Sequence, residues 1–185
     1  MNITTYAEEA RSTAIYTNQF IYPALGLSGE IGELIDKLTA GVHHKDEIIK
    51  EASDVLWYVV NICADAHLSF IDLADSINGG VPVNNFTELG VQMIASDDKR
   101  STLIKLPIYS GRITEIAKKT IRDSGGQLPA EKKPMIAESL AEVLRCLFEI
   151  SNSWSINLDD VAQANIDKLF SRRDRGVLQG SGDNR

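Results

Sequence analysis

Four carboxylates in two pairs are the residues of this chain best suited to chemistry. Glu30 and Glu33 stand three apart, and after seventeen further residues Glu51 and Asp54 do the same. Residues three apart on a helix share a face. At about 100° per residue, Glu30, Glu33 and Lys37 fall on one stripe beside Leu27, Leu34 and Leu38. Glu51, Asp54, Tyr58, Asn61 and Asp65 fall on another, beside Ile48, Val55 and Ile62. If the two apolar stripes pack as an antiparallel hairpin, all four acids converge on one edge. A hard divalent cation relieves such crowding, and carboxylate oxygen is the ligand that magnesium prefers, with manganese as a substitute. Magnesium keeps positions open for water and substrate phosphates, and two such ions can activate a water and neutralise a leaving group. A lone Glu-x-x-Glu is common on solvated helices, and Glu33 to Lys37 is an ordinary i, i+4 ion pair. Four residues after Glu51 and Asp54, however, stand Val55 and Tyr58 rather than a cation. Two pairs on consecutive helices, each bordering a core face, favour a site.

The elements that must position these acids read as helices. The first is expected over 4–16, capped by Thr4 or Thr5, with Glu8 three residues after Thr5 as in a capping box. The second runs over 24–40 with Pro23 near its entry, and Gly41 is a candidate C-terminal cap. His43 and His44 read as solvated loop residues. The third runs over 46–67, and Ser69 caps a short fourth helix with Asp72 at the capping-box position. Gly79-Gly80-Val81-Pro82 is the clearest linker.

The chain beyond the linker resembles a second copy. Ser110-Gly111 repeats Ser28-Gly29 at an offset of 82, and Val143-Leu144 repeats Val55-Leu56 at an offset of 88. Leu158-Asp159-Asp160-Val161-Ala162 matches Phe70-Ile71-Asp72-Leu73-Ala74 at the same 88. The change of offset falls in a loop, where length costs little. At the aligned positions Glu30 becomes Arg112, Glu33 becomes Glu115, Glu51 becomes Ser139 and Asp54 becomes Glu142. The four-acid set therefore exists once. The expected organisation is all-α, a helical bundle of two repeats forming a pseudo-dimer within one chain: a catalytic repeat over 1–80, a degenerate one over 84–170 and a basic, glycine-rich tail over 171–185.

Composition narrows the class. The 185 residues are 43% hydrophobic and 24% charged, as in a globular protein. A net charge of −7 argues against nucleic acid as a partner, because little of the surface offsets phosphate repulsion. Cys63 and Cys146 lie in apolar helical patterns and read as buried free thiols suited to a reducing compartment. No leader and no bilayer-spanning run is visible, so the expected location is the cytoplasm, a bacterial host's if the chain is phage-encoded, with no membrane partner. Neither a P-loop nor a dinucleotide fingerprint is present, and no Glu-x-x-His points to a di-iron bundle.

Glu30-x-x-Glu33 and Glu51-x-x-Asp54, in the contexts Ala24-Leu25-Gly26-Leu27-Ser28-Gly29 and Val55-Leu56-Trp57-Tyr58, resemble the signature of the all-α nucleoside triphosphate pyrophosphohydrolases, in particular the MazG-like branch. The tail from Arg175 to Arg185 resembles the ending of phage and bacterial members. The resemblance implies Mg²⁺-dependent cleavage of a (d)NTP between its α- and β-phosphates, with Glu30, Glu33, Glu51 and Asp54 as metal ligands and catalytic acids. Single-unit relatives dimerise, so a homodimer of the two-repeat chain is also expected. Phage-like relatives include enzymes that trim purine dNTP pools, which implies dATP or dGTP. The duplicated, half-degenerate layout also resembles dimeric dUTPases, which leaves a dUTPase- or dCTPase-like activity open. The rival outside enzymology is a non-catalytic nucleotide-sensing or assembly module.

Expected substrate contacts come from the stripes and from the family's habit of borrowing basic groups from a partner unit. Tyr58 either stacks on a base or closes the core edge, and Asn61 reads a sugar or base edge. Lys37 meets phosphate or only Glu33. Arg112, Lys118 and Lys119 come from the second repeat. Lys168, Arg172 and Arg175 form a basic cluster at the last helix end, serving phosphate or the helix dipole. Trp57 is expected to pack, against the second repeat.

Overall fold

The computed structural model describes residues 1–40, 45–90 and 99–179. Among these are seven α-helices: α1 (Ile3–Ser12), α2 (Ile21–Thr39), α3 (Lys45–Asp65), α4 (Phe70–Ile77), α5 (Lys99–Ser124), α6 (Lys133–Ser153) and α7 (Leu158–Asp174). Short 3₁₀ turns cover Phe86–Gly90 and Ala130–Lys132. The described residues hold no strand, only an isolated antiparallel bridge between Asn2 and Asn85, so the all-α expectation holds. No helix among them is long and apolar enough to cross a membrane.

The apolar stripes pack as the periodicity requires. Leu27, Ile31 and Leu34 of α2 and Ile48, Ala52, Val55, Val59 and Ile62 of α3 are all buried, and the two helices form a hairpin. A second hairpin joins α5, through Leu106, Ile113 and Ile116, to α6, through Leu140, Val143 and Leu147. The hairpins meet along α2 and α5, where small residues allow close approach. Ser28 and Thr114 share a hydrogen bond of 2.7 Å there, and Thr114 Oγ1 also reaches the Ala24 carbonyl at 3.3 Å. α7 crosses back to lie on α3 and α1. Cys63 and Cys146 are buried free thiols, each pushed up to about 12 by burial first.

The helix ends repeat at an offset of 88. α3 ends in a Schellman turn at His67 (φ 54), with the Leu68 N–H on the Cys63 carbonyl at 2.8 Å. α6 ends the same way at Ser155 (φ 52), with the Ile156 N–H on the Ser151 carbonyl at 2.8 Å. Ser69 then caps α4 by accepting the Asp72 N–H at 3.0 Å, and Asn157 caps α7 by accepting the Asp159 N–H at 2.9 Å. Two differences matter. Where a second repeat would have its first helix stands only the 3₁₀ turn at Phe86–Gly90, and α7 has 17 residues where α4 has 8.

Several expected boundaries shift. Asn2, not Thr4 or Thr5, caps α1, accepting the Thr5 N–H at 3.1 Å. The Ile3 N–H bonds to the Asn84 carbonyl at 2.9 Å, and the bridge to Asn85 keeps Asn2 extended, so the helix begins at once after it. α1 stops at Ser12, short of residue 16, because the segment beyond is held by α3. α2 starts at Ile21 and takes Pro23 into its first turn, where a missing N–H costs nothing. Gly41, His43, His44 and the tail from Gly180 to Arg185 lie outside the described residues. Because the two caps are chemically equivalent, Ser69→Ala and Asn157→Ala should each cost about 1 kcal/mol. Urea unfolding followed by far-UV circular dichroism measures both losses.

Candidate functional site

α2 and α3 bring the acids together as their spacing predicts. Carboxylate oxygens of Glu30, Glu51 and Asp54 lie within 4.8 Å of one another. Glu33 lines the same cleft but is exposed and stands outside that tight set. Glu51 is 3% exposed, with the Lys50 ammonium 3.6 Å from its Oε1. Glu30 is half-buried. Burial first, then the charges of Asp54, Glu33 and Glu51, push its carboxyl up to about 7, while Lys168 pulls it down. Near neutrality the cluster therefore competes for positive charge. Its donors are all hard oxygens, the set that suits a divalent cation of the magnesium or manganese type.

Positive charge reaches the cluster from α7. Lys168 Nζ lies 2.5 Å from Asp54 Oδ1 and 3.3 Å from Ser53 Oγ. Asn165, one turn earlier and fully buried, donates to Ser53 Oγ at 3.5 Å and accepts the Tyr6 hydroxyl at 3.1 Å. A buried polar bridge thus ties α1, α7 and α3 together beneath the acids. Arg172, one turn beyond Lys168, is buried and lines the cleft. It is not part of a solvated helix end.

The cleft has a volume of about 560 Å³. Much of its wall is aromatic: Tyr16, Tyr22, Trp57 and Tyr58 line it with Thr13 and Ile15. Tyr16 stacks on Tyr22 with centroids 4.9 Å apart, and Trp57 meets Tyr58 edge-on at 4.9 Å. Trp57, expected to pack against the second repeat, lines the cleft with Leu169 and Leu178 and turns its polar edge to α1. Its indole N–H reaches the Ala10 carbonyl at 3.1 Å and Thr13 Oγ1 at 3.0 Å, at the end of α1. Tyr58 lies against Gly26, where an added Cβ would fall 2.3 Å from the ring. Leu169, Leu178 and Gln179 complete the α7 side.

Of the expected substrate contacts, Tyr58 and Arg172 line the cleft and Lys168 sits on one of its acids. The others are placed elsewhere. Lys37 pairs with Glu47 at 3.0 Å rather than with Glu33. Asn61 is buried, accepts from Arg11 at 3.0 Å and donates to the Trp57 carbonyl at 2.9 Å, so its amide is spent within the fold. Arg112 pairs with Glu138 at 3.7 Å and lies over the Tyr109 ring. Lys118 and Lys119 both pair with Glu115. These three stand on the outer face of α5, because Ile113, Ile116 and Ala117 claim its inner face. Arg175 is exposed beyond the end of α7 and donates to the Ser171 carbonyl at 3.2 Å. Sequence reasoning missed Thr13, Ile15, Tyr16 and Tyr22. The available signal was two tyrosines in a polar stretch just ahead of the first acid helix.

Residues 22–79, which span nearly all of α2 together with α3 and α4, match the family described as MazG nucleotide pyrophosphohydrolase domain. All four acids fall inside the match. The Gene 37 protein of Mycobacterium phage L5 is 40% identical over 76 residues, which cover 41% of this chain and 67% of that relative. No solved structure matches significantly.

Glu30 gives the metal-free protein a definite pH response. Between the ordinary carboxyl value of 4.5 and about 7, the folded state keeps a proton that the unfolded chain has released. Its contribution to stability therefore falls as pH rises through that window. The melting temperature should fall from pH 5 to pH 8, less so in Glu30→Gln. Added Mg²⁺ should raise it more at pH 8 than at pH 5. Differential scanning calorimetry with a chelator or excess Mg²⁺ checks both. Gly26→Ala should displace the Tyr58 ring and shift Trp57 emission without changing far-UV ellipticity, which the two spectra read directly.

Proposed function

We propose, from the premise that the chain belongs to the MazG nucleotide pyrophosphohydrolase family, that it hydrolyses a deoxynucleoside triphosphate to the monophosphate and pyrophosphate. The observation that carries this reading is one cleft lined by the grouped carboxylates, by four aromatic side chains and by Arg172, with Lys168 on one of the acids. A triphosphate ester of a flat base has charge and apolar surface to match.

In this reading Glu30, Glu51 and Asp54, with Glu33 beside them, would hold the metal. Bound Mg²⁺, or Mn²⁺ in its place, supplies neutralisation of the phosphate charge and polarisation at the α-phosphorus. Lys168 and Arg172 bind phosphate oxygens, the arginine through its planar fork. The aromatic wall takes the base and keeps water from it. One of these four acids accepts the proton of the attacking water at its carboxylate. Water oxygen bonds to the α-phosphorus, the bond from that phosphorus to the α–β bridging oxygen breaks, and pyrophosphate leaves. The preference for dATP or dGTP rests on the tail's resemblance alone.

The same proposal covers the internal duplication: a catalytic repeat over 1–80, a second over 84–170 and the tail from 171. Its support is the shared offset of helix ends and caps. In the second repeat Ser139 donates to the Met135 carbonyl at 2.8 Å and Glu142 pairs with Arg145 at 3.3 Å, leaving no acid cluster among these counterparts. The second repeat would then act as a built-in partner that lends Lys168, with Arg172 following from the tail at the end of α7, giving one site per chain. A homodimer of the whole chain belongs to this reading too.

Incubation with each of the eight common ribo- and deoxynucleoside triphosphates and Mg²⁺ should release pyrophosphate, fastest from a purine dNTP. Orthophosphate alone would change the reaction class, and binding without turnover would make the chain a sensor. Glu51→Gln should lower kcat by more than about 100-fold, beyond the usual cost of losing a ligand's supporting contact. Lys168→Ala should raise KM about tenfold, the worth of one charge-assisted contact.

A further inference from the structure

The segment between α1 and α2 has no regular structure, yet Thr13, Ile15 and Tyr16 come from it and Tyr22 follows it directly. Backbone without a helical ladder has to be held from elsewhere, and the holding group is Asp65 in the last turn of α3. Its side chain is 0% exposed. Oδ2 accepts the Tyr16 hydroxyl at 2.9 Å and the Phe20 backbone N–H at 2.7 Å. Oδ1 faces Arg11 Nη2 at 2.8 Å as an ion pair. Arg11 Nη1 in turn donates to the Tyr16 hydroxyl oxygen at 2.7 Å and to Asn61 Oδ1 at 3.0 Å. Burial, followed by the Asp65 charge, pushes the Tyr16 hydroxyl well above its ordinary pKa, so it stays a donor.

Phe20 adds a second observation. It has φ 63 and ψ −46, and the Ile21 N–H closes on the Gln19 carbonyl at 2.7 Å. This is the γ-turn form that is rare and strained for a residue bearing a side chain, and such strain persists only where its surroundings over-determine it. Here the surroundings are the buried Phe20 ring and the Asp65 carboxylate. The turn starts α2 where Tyr22 can stack on Tyr16, and Tyr16 meets Trp57 edge-on at 6.1 Å. A buried carboxylate is costly unless paired. The partners of this one are the Arg11 guanidinium, the Tyr16 hydroxyl and the Phe20 N–H, the last two on the loop that leads into α2.

We infer that Asp65 is a positioning residue for base recognition: with Arg11 it sets Tyr16 and Tyr22 against Trp57 and Tyr58, so that the aromatic end admits a flat heteroaromatic ring. The inference rests on the nucleotide-hydrolase reading above for what that ring is. Asp65 lies eleven residues beyond Asp54 on α3, roughly 16 Å along the axis at 1.5 Å per residue. Loosening it should therefore weaken binding of the base and leave the phosphate end unchanged.

The test uses the full chain with Trp154→Phe, which leaves Trp57 as the sole tryptophan reporter. In Asp65→Asn, the KM for the best triphosphate and the Kd of its monophosphate, read by Trp57 emission, should rise about tenfold, with kcat held within about twofold. Inhibition by inorganic tripolyphosphate, which has no base, should not move. Tyr16→Phe removes one hydroxyl and should shift the same two constants about threefold. It decides the matter if Asp65→Asn does not fold. Unchanged monophosphate affinity in a folded variant, or an equal loss of tripolyphosphate inhibition, would overturn the inference. If the unmodified chain hydrolyses no triphosphate, the proposed reaction fails, while monophosphate and tripolyphosphate binding still decide the role of Asp65.

Discussion

Mutual repulsion of carboxylates governs this structure. Two full negative charges 4.8 Å apart repel by about 3 kcal/mol at an effective dielectric constant near 20, less where Glu30 meets solvent. Three acids make three such pairs. Lys168 on Asp54 offsets part of this, and burial, followed by the neighbouring charges, still raises the proton affinity of Glu30. A fold that keeps such a cluster keeps a demand for positive charge. Metal, proton or lysine can each meet that demand, and a triphosphate that arrives with its cation presents the charge in the right place.

The demand also explains the use of α7. α7 is 17 residues long against 8 for α4, and its later turns bring Lys168 onto Asp54 and Arg172 to the cleft. Asn165 joins α1 and α3 through Tyr6 and Ser53. A wholly buried amide in such a bridge is worth keeping only when satisfied, and here both of its polar atoms have partners. The second half thus contributes to the cleft through α7 and the residues just after it, while its own hairpin carries exposed ion pairs, each of small energetic weight.

The two ends of the cleft are built by different physics. The acid end follows from helical periodicity and from a hairpin that buries the adjacent apolar stripes. The aromatic wall joins Tyr22 of α2 and Trp57 and Tyr58 of α3 to Tyr16, whose irregular segment is folded onto α3 by one buried carboxylate and a strained turn at Phe20. The acids thus stand wholly on helices, while one member of the aromatic wall, Tyr16, stands on a loop held by the scaffold.

Much of this was legible in the residues alone. The all-α class, the two acid-bearing helices, the Ser69 cap and the convergence of Glu30, Glu51 and Asp54 follow from spacings of three and four, which are local. Periodicity also placed Tyr58 beside the acids. It could not show that Asn61 would be spent on Arg11 and Trp57, that Lys37 would choose Glu47, or that Arg112, Lys118 and Lys119 would turn outward. Those outcomes depend on which neighbours arrive from distant segments. The same holds for α1 ending at Ser12, where propensity continued but Asp65, 45 residues after Phe20, held the backbone otherwise. The sequence by itself determined which faces are apolar and which acids share an edge. Only the tertiary structure decided which cation meets them and what closes the far end of the cleft, because those contacts join residues more than 40 apart in the chain.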